Sequence, residues 1–91
     1  MGKSHKTKFQ LEVVSLVKEI RTRKGYSQDD LALFLNVTRG YIGQIESTNS
    51  PSKYTLDQLN TLAIEMKCSP KDFIPERPIE KNVQVRIRSK K

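Results

Sequence analysis

The segment from residue 28 to residue 46, QDDLALFLNVTRGYIGQIE, constrains the fold of this chain more than any other. Its pattern is typical of two short helices that meet at a steep angle, which requires a small residue where they cross, here Ala32. The turn between the helices requires a left-handed backbone, which Asn36 adopts more readily than most residues. Apolar residues that can tie both helices to a core stand at Leu31, Leu35, Val37, Ile42 and Ile45.

Helical patterns flank this segment on both sides. Residues 9–24 carry one apolar stripe at helical spacing, and residues 55–66 carry another. The stripes comprise Phe9, Val13, Leu16, Val17 and Ile20, and then Leu56, Leu59, Leu62, Ala63 and Met66. Candidate N-caps precede the four later helices, at Ser27, Thr38, Thr55 and Ser69. We therefore predict an all-α, compact fold of five helices, the last of which ends near residue 74.

The basic residues of the chain are concentrated at its two ends. The net charge is +7, and residues 1–8 contribute +3 while residues 77–91 contribute +5. Residues 9–76 are close to neutral, with eight basic and nine acidic side chains. A chain of 91 residues is long enough for one small domain. We therefore predict a basic, solvated N-terminal arm over 1–8, a folded domain over 9–76 and a basic tail over 77–91.

The basic tail has a different sequence period from the helices. Val83, Val85 and Ile87 alternate with polar residues, which is strand-like spacing. A single strand is unstable in water unless it pairs with another. Our leading hypothesis is a short strand over residues 82–88 that pairs with its counterpart in a two-fold dimer, and the alternative is a tail without fixed structure.

Composition argues against several classes of protein. The single cysteine, Cys68, cannot form an internal disulfide, and the single histidine, His5, is too far from it in sequence for a metal site. No glycine-rich phosphate loop and no pairing of a nucleophile with a histidine is present, so we expect no enzyme activity, no metal and no cofactor. No apolar run has the length of a secretory signal or a membrane span, so we expect a cytoplasmic protein that does not contact membranes.

The order and spacing of residues 12–74 resemble the XRE-type helix-turn-helix regulators, the family of phage repressor and Cro proteins. The resemblance rests on Ile20-Arg21, Gly25-Tyr26-Ser27-Gln28, Leu31-Ala32, Val37-Thr38-Arg39, Tyr41-Ile42, Gln44-Ile45-Glu46, Leu59, Leu62-Ala63 and Ser69-Pro70. It implies a lambda-repressor-like DNA-binding domain with its helix-turn-helix at about residues 27–46, whose second helix, 38–46, enters the major groove. Asn36 stands where the family usually has glycine, and the loop over 47–54 is longer than usual and lacks the family's glycine.

The same resemblance implies the residues that meet DNA. Arginine can bridge O6 and N7 of guanine and glutamine can pair with adenine, so base contacts are expected in the second helix. These are Thr38, Arg39, Gly40 and Gln44, while contacts with the DNA backbone are expected at Gln28, Tyr41, Ser47 and Lys53. Each of them could instead be an ordinary surface residue, and Tyr41 could pack on the preceding helix. The resemblance also implies a partly buried ion pair between Arg21 and Glu46.

These expectations together predict a sequence-specific regulator of transcription that binds double-stranded DNA. We expect a repressor that acts as a homodimer on a pseudo-palindromic operator. The alternative is an antitoxin-like interaction module, in which the tail over 77–91 binds a partner protein and DNA binding serves autoregulation.

Overall fold

A computed structural model describes residues 6–85 of the chain. It contains four α-helices and one 3₁₀ helix, which are α1 (Lys8–Arg23), α2 (Gln28–Leu35), α3 (Arg39–Glu46), α4 (Leu56–Met66) and the 3₁₀ helix Pro70–Phe73. The prediction of an all-α fold is confirmed for these residues. The prediction of five helices is corrected, because the element after Ser69 is a single 3₁₀ turn of four residues.

Side-chain caps begin the helices at the positions that the sequence predicts. The Ser27 hydroxyl accepts a hydrogen bond from the backbone N–H of Asp30, and Thr55 caps α4 in the same way through Gln58. Asn36 ends α2 in the left-handed conformation, at φ 59° and ψ 47°. The tight connection from α2 to α3 is therefore encoded by residues within the turn itself.

One hydrophobic core joins all of these elements. Residues from every helix contribute to it, and those with no solvent exposure are Val17, Leu31, Ile42, Ile45, Leu62 and Phe73. Ala32 is buried on the face of α2 that packs towards the core, and α2 and α3 are in close contact. Since Ile42 and Ile45 anchor α3 from one side only, its other side is left at the surface.

The two ends of the described chain pair with each other. Thr7 and Gln84 form an isolated antiparallel β-bridge. The backbone N–H of Lys8 donates to the carbonyl of Val83 at 3.0 Å, and that of Val85 donates to the carbonyl of Lys6 at 2.9 Å. Residues 83–85 thus form a bridge within one chain, which satisfies backbone groups at both ends, and pairing of this segment between two copies stays a prediction.

The N-terminal segment also differs from the predicted solvated arm. Thr7 is the N-cap of α1 and forms a capping box with Gln10, so the helix begins at Lys8, one residue before the predicted start. Lys6 is buried, with 1% of its surface exposed. The prediction of an arm is therefore wrong for residues 6–8, while residues 1–5 lie outside the described part of the chain, as do Ile87 and the rest of residues 86–91.

None of the helices within residues 6–85 has the length and apolar character needed to span a membrane. Over the same residues, histidine, cysteine and carboxylate side chains form no group of three or more that could hold a metal ion.

Candidate nucleic-acid interface

Helix α3 presents one polar face to solvent. Its N-cap, Thr38, accepts a hydrogen bond from the N–H of Tyr41 at 3.1 Å. The four residues for which base contacts are predicted are all exposed: Thr38, Arg39, Gly40 and Gln44. The fold therefore brings these residues together on a single surface of one helix, with the apolar side of that helix fixed in the core.

Arg39 is only weakly held by the rest of the protein. Its Nε lies 3.7 Å from Oδ1 of Asp29 in α2, and the two side chains are 67% and 73% exposed. Ion pairs with this exposure contribute about 0–1 kcal/mol. The guanidinium of Arg39 can therefore leave Asp29 at little cost when a stronger anion or a guanine edge is available.

The two glycines of α3 have different surroundings. A Cβ at Gly40 would meet only the Thr38 hydroxyl, at 3.9 Å, so internal packing does not require glycine there. A Cβ at Gly43 would lie 3.8 Å from Oε1 of Gln28, which is also an ordinary van der Waals distance. Packing within the protein therefore requires glycine at neither position, and Gly40 leaves the exposed face of α3 without a side chain at that point.

A hydrogen-bonded network joins α1, α2 and the end of α3. Arg21 donates to Glu46 through Nε at 2.7 Å and through Nη2 at 2.9 Å, and the two side chains are 10% and 5% exposed. A third N–H of Arg21 donates to the carbonyl of Tyr26, and Nε2 of Gln28 donates to Glu46 at 2.9 Å. The ion pair between Arg21 and Glu46 that the family resemblance implies is thus present as a bidentate contact. Gln28 of α2 joins it through a hydrogen bond to Glu46.

This network changes the acidity of Glu46. Burial on its own would raise the pKa of the carboxyl, but hydrogen bonds from Arg21 and Gln28 outweigh it and hold the pKa below its ordinary value. Glu46 therefore remains a carboxylate near neutral pH and fixes the last turn of α3 against α1 and α2.

The predicted backbone contacts fall into two groups. Gln28 and Tyr41 are half-buried: the amide of Gln28 is engaged with Glu46 but has a second N–H, and Tyr41 packs against the core. Ser47 and Lys53 lie in the loop between α3 and α4, where Ser47 is half-buried and Lys53 is exposed. The loop residue Tyr54, in contrast, is buried in the core.

A profile of the helix-turn-helix family (HTH_3) matches residues 17–63, which is more than half of the chain. The chain belongs to the helix-turn-helix family. Within the matched residues, α2 and α3 are the two helices of the motif, and α3 is the second of them. The protein is thus a DNA-binding transcriptional regulator of the XRE type.

Solved structures agree with this assignment. The restriction-modification controller protein C.AhdI from Aeromonas hydrophila is 26% identical, with a TM-score of 0.61, and the match covers 71% of this chain and 96% of that one. An HTH_3 family transcriptional regulator from Vibrio cholerae is 28% identical, with a TM-score of 0.60. That match covers 71% of this chain and 35% of the Vibrio chain. A comparison with curated proteins finds no match.

Sequence reasoning missed three features of this helix-turn-helix protein. Asp29 faces Arg39 across the motif, and their separation along the chain gives no local pattern that would predict it. Lys6 contacts the loop after α3, although it lies 41 and 44 residues before its acceptors in the sequence. Tyr54 fills the core, a role that its place in a polar loop conceals.

Proposed function

We propose that this protein binds a specific operator in double-stranded DNA by placing α3 in the major groove. The observation that carries the proposal is the exposed polar face of α3, formed by Thr38, Arg39, Gly40 and Gln44 on a helix whose opposite side is anchored in the core. Arg39 and Gln44 are five residues apart, which is about 7.5 Å along the helix axis and about 140° around it. The two side chains therefore address different base pairs of one half-site.

Contacts with the DNA backbone hold the helix in register in this proposal. Gln28 stands at the N-terminus of α2, where free N–H groups and the helix dipole favour a phosphate. Glu46 holds one N–H of the Gln28 amide, which leaves the second N–H for the phosphate oxygen. Tyr41, Ser47 and Lys53 supply further backbone contacts.

We also infer that the protein acts as a homodimer on a pseudo-palindromic operator, where it represses transcription by blocking access to the promoter. Two half-sites one helical turn apart require two copies of α3 about 34 Å apart. Exposed apolar side chains support self-association: Leu56 and Ile64, at 81% and 67% exposure, are eight residues apart on one face of α4. The similarity to a restriction-modification controller protein, covered over 96% of its chain, supports a regulator built on this domain.

Selection from random duplexes with the purified protein tests sequence specificity and symmetry together. We expect enrichment of a motif with two inverted half-sites. A failure to enrich any motif would contradict sequence-specific binding, and a single half-site would contradict the dimer. In sedimentation, Ile64→Lys should weaken self-association while Glu65→Lys, at the adjacent exposed position, should leave it unchanged.

The Arg39→Ala variant tests the proposed base contact. On the selected operator we expect a loss of about 1–3 kcal/mol, with a smaller loss on a scrambled duplex. Arg23→Ala is the matched control, because Arg23 is equally exposed and has a similarly weak pair with Glu19, at 3.9 Å. If Arg39→Ala weakens binding to both duplexes by the same factor, Arg39 contacts only phosphate.

A further inference from the structure

The side chain of Lys6 is the most unusual feature outside the recognition helix. A lysine is almost never fully buried unless it is paired, because desolvation of the ammonium group is costly. Lys6 is 1% exposed, and its Nζ donates to two backbone carbonyls, those of Ser47 and Ser50, at 2.6 Å each. Both acceptors belong to the loop that connects the recognition helix to α4.

These contacts organise the loop at the point where α3 ends. Ser47 is the C-cap of α3, where carbonyl groups carry partial negative charge and a cation is stabilising. The Ser47 hydroxyl accepts from the N–H of Asn49, and the Ser50 hydroxyl accepts from that of Ser52. One ammonium group therefore ties together two successive turns of the loop.

The position of Lys6 depends on the C-terminal segment. The carbonyl of Lys6 accepts from the N–H of Val85, and the N–H of Phe9 donates to the Asn82 side chain at 2.8 Å. With the Thr7–Gln84 bridge, these bonds join residues 6–9 to residues 82–85, an arrangement we name the terminal clamp. A line of direct contacts thus runs from residues 82–85 through Lys6 to the loop.

We propose that Lys6 is a positioning residue of the DNA interface, through which the terminal clamp fixes the loop after the recognition helix for contact with the DNA backbone. This inference rests on the proposed function, since Ser47 and Lys53 lie in that loop. Lys6 itself is buried against the loop carbonyls and acts through them. Residues 82–85 carry no charged side chain, so they affect DNA affinity through the geometry of the loop.

The electrostatics of the loop agree with this arrangement. Burial lowers the pKa of Lys6, and the charge of nearby Lys53 lowers it further. The two lysines therefore lie close enough to interact, with Lys6 inside the loop and Lys53 exposed on it. Loss of the buried Lys6 ammonium group therefore releases the turn of the loop that carries Lys53.

The first test compares Lys6→Met with Lys8→Met. Methionine keeps an unbranched apolar stem at residue 6 and removes the donor, while Lys8 is exposed and its loss removes the same charge two residues away. In titrations at several salt concentrations, Lys6→Met should weaken operator binding about tenfold and reduce the salt slope by about one. Lys8→Met should stay within about twofold of the unaltered protein. Unchanged affinity and slope in folded Lys6→Met, or equal losses in both variants, would overturn the proposal.

The second test breaks the clamp without changing charge. Val85→Pro removes the N–H that donates to the Lys6 carbonyl and should reproduce the loss of affinity seen in Lys6→Met. Because both changes act through one line of contacts, the double variant should lose little more than either single variant. Fully additive losses would show that the C-terminal segment does not act through Lys6.

A third measurement separates failure of the clamp from failure of the proposed function. Hydrogen exchange without DNA should be faster at the amides of Asn49 and Ser52 in Lys6→Met than in Lys8→Met. Equal exchange in the two variants would overturn the clamp whatever the DNA result. If the unaltered protein binds no DNA, the proposed function fails and so does the assigned role of Lys6, even where exchange shows that the clamp orders the loop.

Discussion

Replacement of Glu46 by alanine is expected to destabilise the domain far more than loss of an exposed glutamate does. Glu46 accepts three hydrogen bonds, two from Arg21 and one from Gln28. Its removal leaves the Arg21 guanidinium, 10% exposed, with the carbonyl of Tyr26 as its remaining acceptor. A charge that is buried and loses its partner in this way costs about 3–5 kcal/mol.

This loss is large compared with the stability of a small domain. Domains of this kind unfold with a free energy of about 5–15 kcal/mol, and each kcal/mol shifts the melting temperature by about 4–8 °C. We therefore expect Glu46→Ala to lower the melting temperature by at least about 12 °C. Glu12→Ala is the control, because Glu12 is an exposed glutamate of α1 and its loss should change stability by less than about 0.5 kcal/mol.

Urea denaturation followed by circular dichroism measures both variants on one scale. A third variant separates the cost of leaving Arg21 unpaired from the stabilisation that the ion pair supplies. Arg21→Met combined with Glu46→Leu removes both charges and should be more stable than Glu46→Ala. Equal unfolding free energies for Glu46→Ala and Glu12→Ala would refute the reasoning. A double variant less stable than Glu46→Ala would show that the ion pair itself, and not the unpaired Arg21, supplies the stability.

Three further predictions concern single groups. The pKa of Glu46 is lower in the folded than in the unfolded protein, so its ionised carboxylate stabilises the fold above the ordinary glutamate pKa. This stabilisation is lost as pH falls through the folded pKa. The free energy of unfolding should therefore depend less on pH in the acid range for Glu46→Gln than for the unaltered protein. Asn36 adopts φ 59°, so Asn36→Ala should cost about 1–2 kcal/mol in thermal unfolding, and an Asn36→Gly variant of lower stability than Asn36→Ala would contradict this. Tyr54 is buried, and within residues 6–85 its hydroxyl has no hydrogen-bond partner, so Tyr54→Phe should leave stability unchanged or raise it; a loss above about 1 kcal/mol would reveal a partner for that hydroxyl.

The helices of this protein were predictable because their boundaries depend on nearby residues. The hydroxyls of Ser27 and Thr55 cap helices by accepting hydrogen bonds from backbone N–H groups three residues later, and Asn36 ends α2 by its own backbone preference. The apolar stripes likewise predicted the buried faces of α1 and α4, except that Leu56 of the α4 stripe is 81% exposed. The exposed face of α3 followed from the same periodicity, since a helix with one apolar side must leave the other at the surface.

The last element and the two ends of the chain were less predictable. Ser69 and Pro70 signal the start of a helix correctly, but the turn that follows ends after four residues. The alternation of Val83 and Val85 predicted a strand, but residues 83–85 form only an isolated bridge with Thr7. Pairing of a strand is set by whichever edge lies within reach after folding, and here that edge is the segment before α1.

By itself, the sequence determined where the helices begin, how the two short helices turn and which side of α3 faces solvent, because each of these depends on residues within a few positions of one another. Only the tertiary structure decided that Lys6 is buried against the carbonyls of Ser47 and Ser50, that Tyr54 belongs to the core, and that Gln28 joins the Arg21–Glu46 pair. Lys6 is separated from its two acceptors by 41 and 44 residues. Contacts over such distances leave no periodic pattern in a sequence, because they depend on how whole elements pack and not on the preferences of neighbouring residues.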